Sequence, residues 1–467
     1  ITLLYYGYLD GDSNLINSAI KWLILIPLIL SLFAVYLIKF VKFIFFNQDK
    51  SIDIVIKKLR FIKKNFKNNN LKKIIKLINF LVVKFSYLIL LALIILFFYK
   101  FTNFHVKPEK VSKVKYLDEN YEFPDVFTDV ENTNLVILYV ESLENTYSDK
   151  NIFNENLIEA LSEINKGKSV KYFYQIPGLG YTFSSLVSTQ CGIPLLQISK
   201  SYIDVKDLKG INKFLPNLRC LTDILADYNY ENIFVSSDYL ENSLTDRFLL
   251  SHNYTKLYGL KELIAMGYNT SKKAYHNKNE WSGGIHDNVL LEASIDILRN
   301  QKKKNNKFFM TIMTLDSHTP AGTPNPECLK NFMKNENLNN WTINETIKCT
   351  SIYVSKFIED FYKLNLENTE LILIGDHLLM QNITPKERFI YNKFFIDENL
   401  IFKRDYMNFF DFYPSFLEVM KFKINNNLGK VALGYSIFKQ NDSYDLIKFS
   451  LKGYSNLYDS FWQIKTE

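Results

Sequence analysis

The sequence predicts an α/β domain built on a doubly wound sheet and preceded by transmembrane helices. Three observations carry that expectation. The first hundred residues hold two long apolar stretches separated by a strongly basic segment. The rest of the chain repeats one pattern: a short apolar run rich in β-branched and aromatic residues, a polar cluster, then a helical stretch. Such runs read as strands buried on both faces by helices. Residues able to do chemistry gather where the runs end, which is where open α/β sheets bind ligands.

In chain order, "ITLLYYGYL" at the start is apolar but too short to span a bilayer, and reads as the end of an earlier membrane helix. No small-residue exit site of a cleavable signal accompanies it. Trp22 to Ile38 is uncharged and apolar, and Leu77 to Tyr99 carries a single charge, Lys84, near enough to one end to snorkel. With their flanks they form helices at about 20–46 and 77–101, long enough to cross about 30 Å of hydrocarbon. Buried core helices are the alternative for stretches of this kind. The segment between them holds ten Lys/Arg and two Asp. The positive-inside rule assigns it to the cytoplasm and everything after about Phe101 to the other side. Within it Ile52, Val55, Ile56, Leu59, Ile62 and Phe66 share one helical face, so it is either a basic amphipathic helix on the inner leaflet or a solvated charge run. Residues 1–105 are thus expected to be a multi-pass membrane region.

The net charge of +7 divides unevenly: residues 1–107 hold 16 Lys/Arg against 4 Asp/Glu, leaving the remainder at −5. The part outside the membrane has no basic surplus, so no nucleic-acid partner is expected. Residues 106–130, with Pro108 and Pro124, read as a linker, and 131–467 as an extracytoplasmic globular domain. All four cysteines, Cys191, Cys220, Cys328 and Cys349, fall in that domain. An even count in an oxidising compartment permits two disulfides, and pairing neighbours in sequence closes modest loops. No C-x-x-C spacing points to structural zinc.

The apolar runs are "LVILYV" before Glu141, "VKYFYQI" before Gly178, "NIFVSS" before Asp238, "FFMTIMTL" before Asp316 and "LILIG" before Asp376. Glu141, Asp316, His318, Asp376 and His377 therefore sit at or just after strand ends. Asp376 and His377 at a turn can converge on one cation, or be a turn aspartate beside a surface histidine. Glu141 follows an unbroken apolar strand, where an unpaired carboxylate is costly and a cation is a fitting partner. Glu144 reads as facing solvent or capping the next helix. "DSH" can present the His318 imidazole to a phosphate. No G-x-S-x-G elbow supports a Ser-His-Asp hydrolase. In "GLGYTFSSLVSTQCGIPLL" the glycines allow a tight turn before a helix that starts near Thr182. A phosphate can rest on that helix start against the Thr182 hydroxyl, or Thr182 can be a helix cap alone.

"VESLENTY", "GLGYTFSSLVSTQCGIPL" and "GDHLLM", in this order and spacing, resemble the phosphoglycerol transferase I family. That family lies in the lipoteichoic acid synthase-like branch of the alkaline phosphatase and sulfatase superfamily. The likeness runs over about residues 130–440 and includes "GGIHDNVLLEAS", "TLDSHTP", "DFYPSFLEVM" and "LGYS". It implies a sulfatase-like sheet domain. It also implies Glu141, Asp376 and His377 as metal ligands, and Thr182 as the nucleophile, its oxygen also on the metal. His318 becomes the histidine that holds the substrate phosphate. The implied metal is Mn²⁺, with Mg²⁺ or Zn²⁺ as alternatives. The implied reaction moves phosphoglycerol from phosphatidylglycerol to a glycan acceptor such as a periplasmic glucan, through a phosphoglyceryl-threonine. The sequence departs from the family at "SSDYLENSLTDRF", where Glu241 stands in place of a basic residue and Arg247 nearby becomes the candidate substrate contact. Asp287 lies in a matching segment with a catalytic or a structural role. A phosphoethanolamine transferase, a metal-dependent phosphodiesterase and a non-catalytic binding domain are the alternatives. A sulfatase activity is not expected, because Cys191 lacks the C/S-x-P-x-R setting.

Overall fold

The computed structural model describes residues 115–196, 213–268, 284–319, 322–333, 341–381, 383, 387–440 and 455–462. The expected membrane helices, the basic loop and the start of the linker lie outside them. Among the described residues no helix is long and apolar enough to cross a membrane.

The strands that matter are β1 (Asn134–Val140), β2 (Tyr172–Tyr174), β3 (Glu231–Ser236), β4 (Lys256–Tyr258), β5 (Phe308–Met313), β6 (Thr369–Gly375), β7 (Asn392–Phe395) and β8 (Tyr406–Asn408). Six of them form one sheet in the order β4-β3-β5-β1-β6-β7, parallel except for β7 at one edge. Six helices pack around it: α1 (Thr182–Cys191), α2 (Leu221–Asp227), α3 (Thr245–Ser251), α4 (Asp287–Lys304), α5 (Ile343–Leu364) and α6 (Phe412–Val419).

The two-residue period of β1 explains the two layers. Leu135, Ile137 and Tyr139 face one way, with Ile372 and Ile374 of β6, and meet Leu186 and Val187 of α1 and Phe416 of α6. Val136, Leu138 and Val140 face the other way, with Met310 and Ile312 of β5, and meet Leu290 of α4 and Val354 of α5. Each such side chain contributes about 1.5–3 kcal/mol on burial, which is why the central runs are apolar on both faces. The result is the doubly wound α/β fold that the apolar runs predict.

Two expectations need correction. The run "VKYFYQI" does not enter the main sheet: β2 pairs in parallel with β8 in a separate two-stranded sheet. Its burial shows the reason, since Phe173 is buried while Tyr172 and Tyr174 stay half-exposed, the alternation of a one-faced strand. The described part of the expected linker, 115–130, belongs to the fold. Leu117 is fully buried, Val126–Phe127 pairs with Lys423–Ile424, and Glu122 exchanges backbone hydrogen bonds with Ala432. The cysteines pair as neighbours in sequence, Cys191 with Cys220 and Cys328 with Cys349.

Candidate active site

Three adjacent strands, β5, β1 and β6, bring their C-terminal ends side by side. β1 delivers Glu141, β6 delivers Asp376 and His377, and β5 leads to His318. Glu141, Asp376 and His377 are each at most 2% exposed, and one donor atom from each lies within 4.8 Å of the others. His377 Nε2 stands 3.4 Å from both Glu141 Oε1 and Asp376 Oδ2. His377 Nδ1 lies 2.9 Å from the Leu378 carbonyl oxygen. A carbonyl only accepts, so Nδ1 carries the proton and Nε2 is the atom that meets the carboxylates.

Asp376 Oδ1 accepts from the backbone N–H of Ser142 at 2.7 Å and of His377 at 2.8 Å. Asp376 Oδ2 is buried with no hydrogen-bond partner among the described residues. A buried acceptor left in that state is costly. Burial and the charge of Glu141 push Asp376 up to about 7. Burial acts to raise Glu141 too, but the His377 and His318 imidazoles hold it below the usual carboxylate range. Two carboxylates this close do not both ionise without a cation between them. Two carboxylates and one imidazole form a mixed oxygen and nitrogen donor set that fits a divalent metal.

Thr182 is the first residue of α1, and the N-cap position belongs to Tyr181, whose side chain caps nothing. The amides of that first turn therefore keep the partial positive charge that favours an anion. The Thr182 hydroxyl donates to Glu141 Oε2 at 3.3 Å, so it points into the cluster and is not the helix cap. Gly178, at φ 88°, makes the left-handed turn that leads the chain into α1. Neighbouring hydroxyls hold the frame. Ser142 Oγ donates to Glu141 Oε1 at 2.7 Å, and Ser185 Oγ donates to the Asp376 carbonyl. Ser184 Oγ bonds the Tyr181 carbonyl at 2.7 Å.

His318 is half-buried, and its Nδ1 donates to the Thr319 carbonyl at 2.9 Å. Its loop is tied to the cluster by Ser317 Oγ, which donates to the Glu141 carbonyl at 2.6 Å. Asp316, although at a strand end, does not join Glu141, Asp376 and His377. It accepts from Asp287 N at 2.9 Å and lies 3.2 Å from His286 Nδ1. Asp287 in turn accepts from Leu315 N at 2.9 Å, Asp316 N at 3.1 Å and Thr350 Oγ1 at 3.1 Å. This clamp fixes the loop carrying His318, so the geometry favours the structural role of Asp287.

Arg247 sits half-buried on α3, beside Phe248, whose ring packs edge-on against Phe183 with centroids 5.8 Å apart. That contact brings the start of α1 and the middle of α3 together. Glu241 is exposed and paired with Lys261, a surface ion pair outside the cluster. Cys220, Asp223 and His252 also lie within 4.8 Å of one another. There Cys220 is disulfide-bonded, while Asp223 accepts from Cys220 N at the start of α2 and bonds His252, so that group is structural. Sequence reasoning missed one buried pair altogether. Glu144 does not face solvent; it is fully buried and bound to Arg388, 244 residues away.

The sulfatase family matches residues 133–421, which is more than half of the chain, and the chain belongs to that family. A Citrobacter koseri protein named phosphoglycerol transferase I is 28% identical over 276 residues, 58% of this chain and 35% of its own length. The Salmonella typhi protein of the same name is 30% identical over 255 residues, 54% of this chain and 32% of its own. The chain thus spans about a third of the length of these curated relatives. Among solved structures, a Vibrio parahaemolyticus protein in the alkaline phosphatase superfamily superposes with a TM-score of 0.50 at 17% identity, over 72% of this chain and 77% of that one. The fold is accordingly the alkaline phosphatase and sulfatase-like α/β fold.

Proposed function

With membership of the sulfatase family as premise, we propose that the chain is a metal-dependent phosphotransferase that moves phosphoglycerol from phosphatidylglycerol, through a covalent threonine intermediate, to a glycan. The observation that carries this reading is the Thr182 hydroxyl, at an uncapped helix start, bonded to Glu141 within a buried cluster of two carboxylates and an imidazole. The name shared by the curated relatives supports phosphoglycerol as the group transferred.

Glu141, Asp376, His377 and the Thr182 oxygen would hold the ion, for which Mn²⁺ is proposed and Mg²⁺ or Zn²⁺ are alternatives. Such an ion, when bound, favours the threonine alkoxide and offsets charge on the phosphodiester. Thr182 Oγ1, as the alkoxide left when its proton passes to solvent, attacks phosphorus, and a bond from phosphorus to Thr182 forms as the bond to the diacylglycerol oxygen breaks. The first-turn amides of α1 steady the phosphoryl oxygens. His318 gives a proton to the departing diacylglycerol oxygen and takes one from the sugar hydroxyl that then displaces Thr182. Arg247 is proposed to contact the phosphoglycerol head group. Residues 1–105 are proposed to anchor the enzyme in the inner membrane, with 131–467 on the extracytoplasmic side facing its lipid donor.

The test is to incubate the full chain with Mn²⁺ and phosphatidylglycerol vesicles, measuring diacylglycerol release and the mass of the peptide carrying Thr182. Release together with a phosphoglyceryl adduct on Thr182 is expected, and Thr182→Ala should abolish both. Undiminished release by Thr182→Ala would overturn the mechanism. Phosphatidylethanolamine vesicles form the arm that distinguishes a phosphoethanolamine transferase.

A further inference from the structure

Glu144 and Arg388 stand outside the donor set, yet they reach it through one peptide group. The Arg388 side chain is 14% exposed and that of Glu144 is 0%. Buried ion pairs are often no more stabilising than apolar residues of the same size, so a pair in this place calls for a role beyond stability. Arg388 Nε donates to Glu144 Oε1 at 3.0 Å and Nη2 to Glu144 Oε2, a two-pronged contact. The same guanidinium donates to the carbonyls of Leu379 at 2.8 Å and Gln381 at 3.3 Å. Glu144 Oε2 also accepts the backbone N–H of Leu379 at 3.1 Å.

That N–H and the Leu378 carbonyl belong to one peptide group, and the Leu378 carbonyl is the acceptor for His377 Nδ1. The contacts therefore run without a break from Arg388 to Glu144, across the peptide, to the imidazole. A carboxylate at the N–H end polarises the amide and makes its oxygen a stronger acceptor. A stronger acceptor holds the proton on Nδ1 and the ring plane in place, which keeps Nε2 turned to Glu141 and Asp376. Gln175 Oε1, accepting from Leu378 N at 2.7 Å, fixes the preceding link of the same turn.

We propose that Glu144 and Arg388 are positioning residues for His377, setting its tautomer and ring orientation through the Leu378–Leu379 peptide. The proposal rests on Glu141, Asp376 and His377 being metal ligands, and is independent of which group is transferred. Partners of this kind typically change metal affinity by about 10–100-fold.

The test measures Mn²⁺ binding to the metal-free full chain by calorimetry. Glu144→Gln alone leaves a buried guanidinium without its counter-charge and puts folding at risk, so the charge-balanced double variant Glu144→Gln with Arg388→Gln is measured beside it. A folded double variant should bind Mn²⁺ about 10–100-fold more weakly than wild type. Wild-type affinity in that variant overturns the proposal. The unaltered chain supplies a second reading, independent of whether any variant folds. It has six histidines, few enough to resolve by ¹⁵N-histidine labelling and to assign His377 by its loss in His377→Asn. The metal-free wild type should show His377 protonated at Nδ1, and protonation at Nε2 alone overturns the proposal. Asp376→Ala separates the two levels of the argument. If it binds Mn²⁺ normally the ligand reading fails, whereas if it loses Mn²⁺ while the double variant binds normally only the positioning role fails.

Discussion

Gly375 closes β6 directly before Asp376, and its replacement by alanine is the sharpest test of how the site is held. A Cβ built there lies 1.9 Å from the Leu143 carbonyl oxygen and 2.8 Å from Ile390 Cγ2. Ordinary contact begins near 3.4 Å, so the Leu143 carbonyl must retreat by about 1.5 Å. Leu143 lies between Glu141 and Glu144, and its carbonyl accepts from Tyr391 N at 3.1 Å. The retreat breaks that bond and drags the turn that places Glu141. Overpacking of this size costs about 1–3 kcal/mol and a lost buried hydrogen bond about 1 kcal/mol more. At roughly 1–2 °C per kcal/mol for a domain this large, Gly375→Ala should melt about 3–8 °C below wild type. Metal sites tolerate displacements of only about 0.2 Å in ligand distance, so Mn²⁺ affinity should fall at least about a hundredfold. Calorimetric melting and Mn²⁺ titration of the full chain read both quantities. A variant that melts with wild type and binds Mn²⁺ equally would refute the close-approach argument.

Acidity should govern metal binding. In the metal-free chain Asp376 titrates near 7, far above its unfolded value, so the folded form holds that proton and loses stability as pH rises from about 4 through 7. Glu141, held below the usual carboxylate range, gives up its proton before Asp376 does as pH rises. Mn²⁺ must displace the Asp376 proton, so affinity should climb about tenfold per pH unit up to about 7 and then level. Calorimetry in buffers of different ionisation enthalpy should find close to one proton released at pH 6, and none released would sink the argument. Asp376→Ala should fold and yet fail to retain metal on dialysis; full occupancy measured by mass spectrometry contradicts its assignment. Breaking Cys191–Cys220, a loop of 29 residues, with the double alanine variant should cost about 3–4 kcal/mol, seen as a lowered urea midpoint. An unmoved midpoint would show that the tether at the far end of α1 contributes nothing.

The centre of the fold was legible because β1, β5 and β6 are apolar on both faces, a pattern that only a sheet covered on both sides explains. The edge strands β4 and β7 were not, being three and four residues long with mixed burial. "VKYFYQI" misled because a run of aromatics looks the same whether one face or both are covered. At the site, the strand-end rule picked out Glu141, Asp376 and His377, which do cluster, and also Asp316, which does not, since the rule places a carboxylate at a strand end without fixing which way it turns. Glu144 was misread because what buries it is Arg388, and nothing local in "VESLENTY" announces a partner 244 residues on.

The placing of Glu141, Asp376 and His377 on neighbouring strands has a consequence for biogenesis. The hydrogen bond from Ser142 N to Asp376 joins residues 234 apart in the chain, and β6 must slot in beside β1 before it exists. A chain that emerges amino end first therefore exposes Glu141 long before Asp376 and His377 arrive beside it. Because contacts of such long range form late, the cluster is completed last, and the proposed ion, once held, would report that the whole sheet is in register.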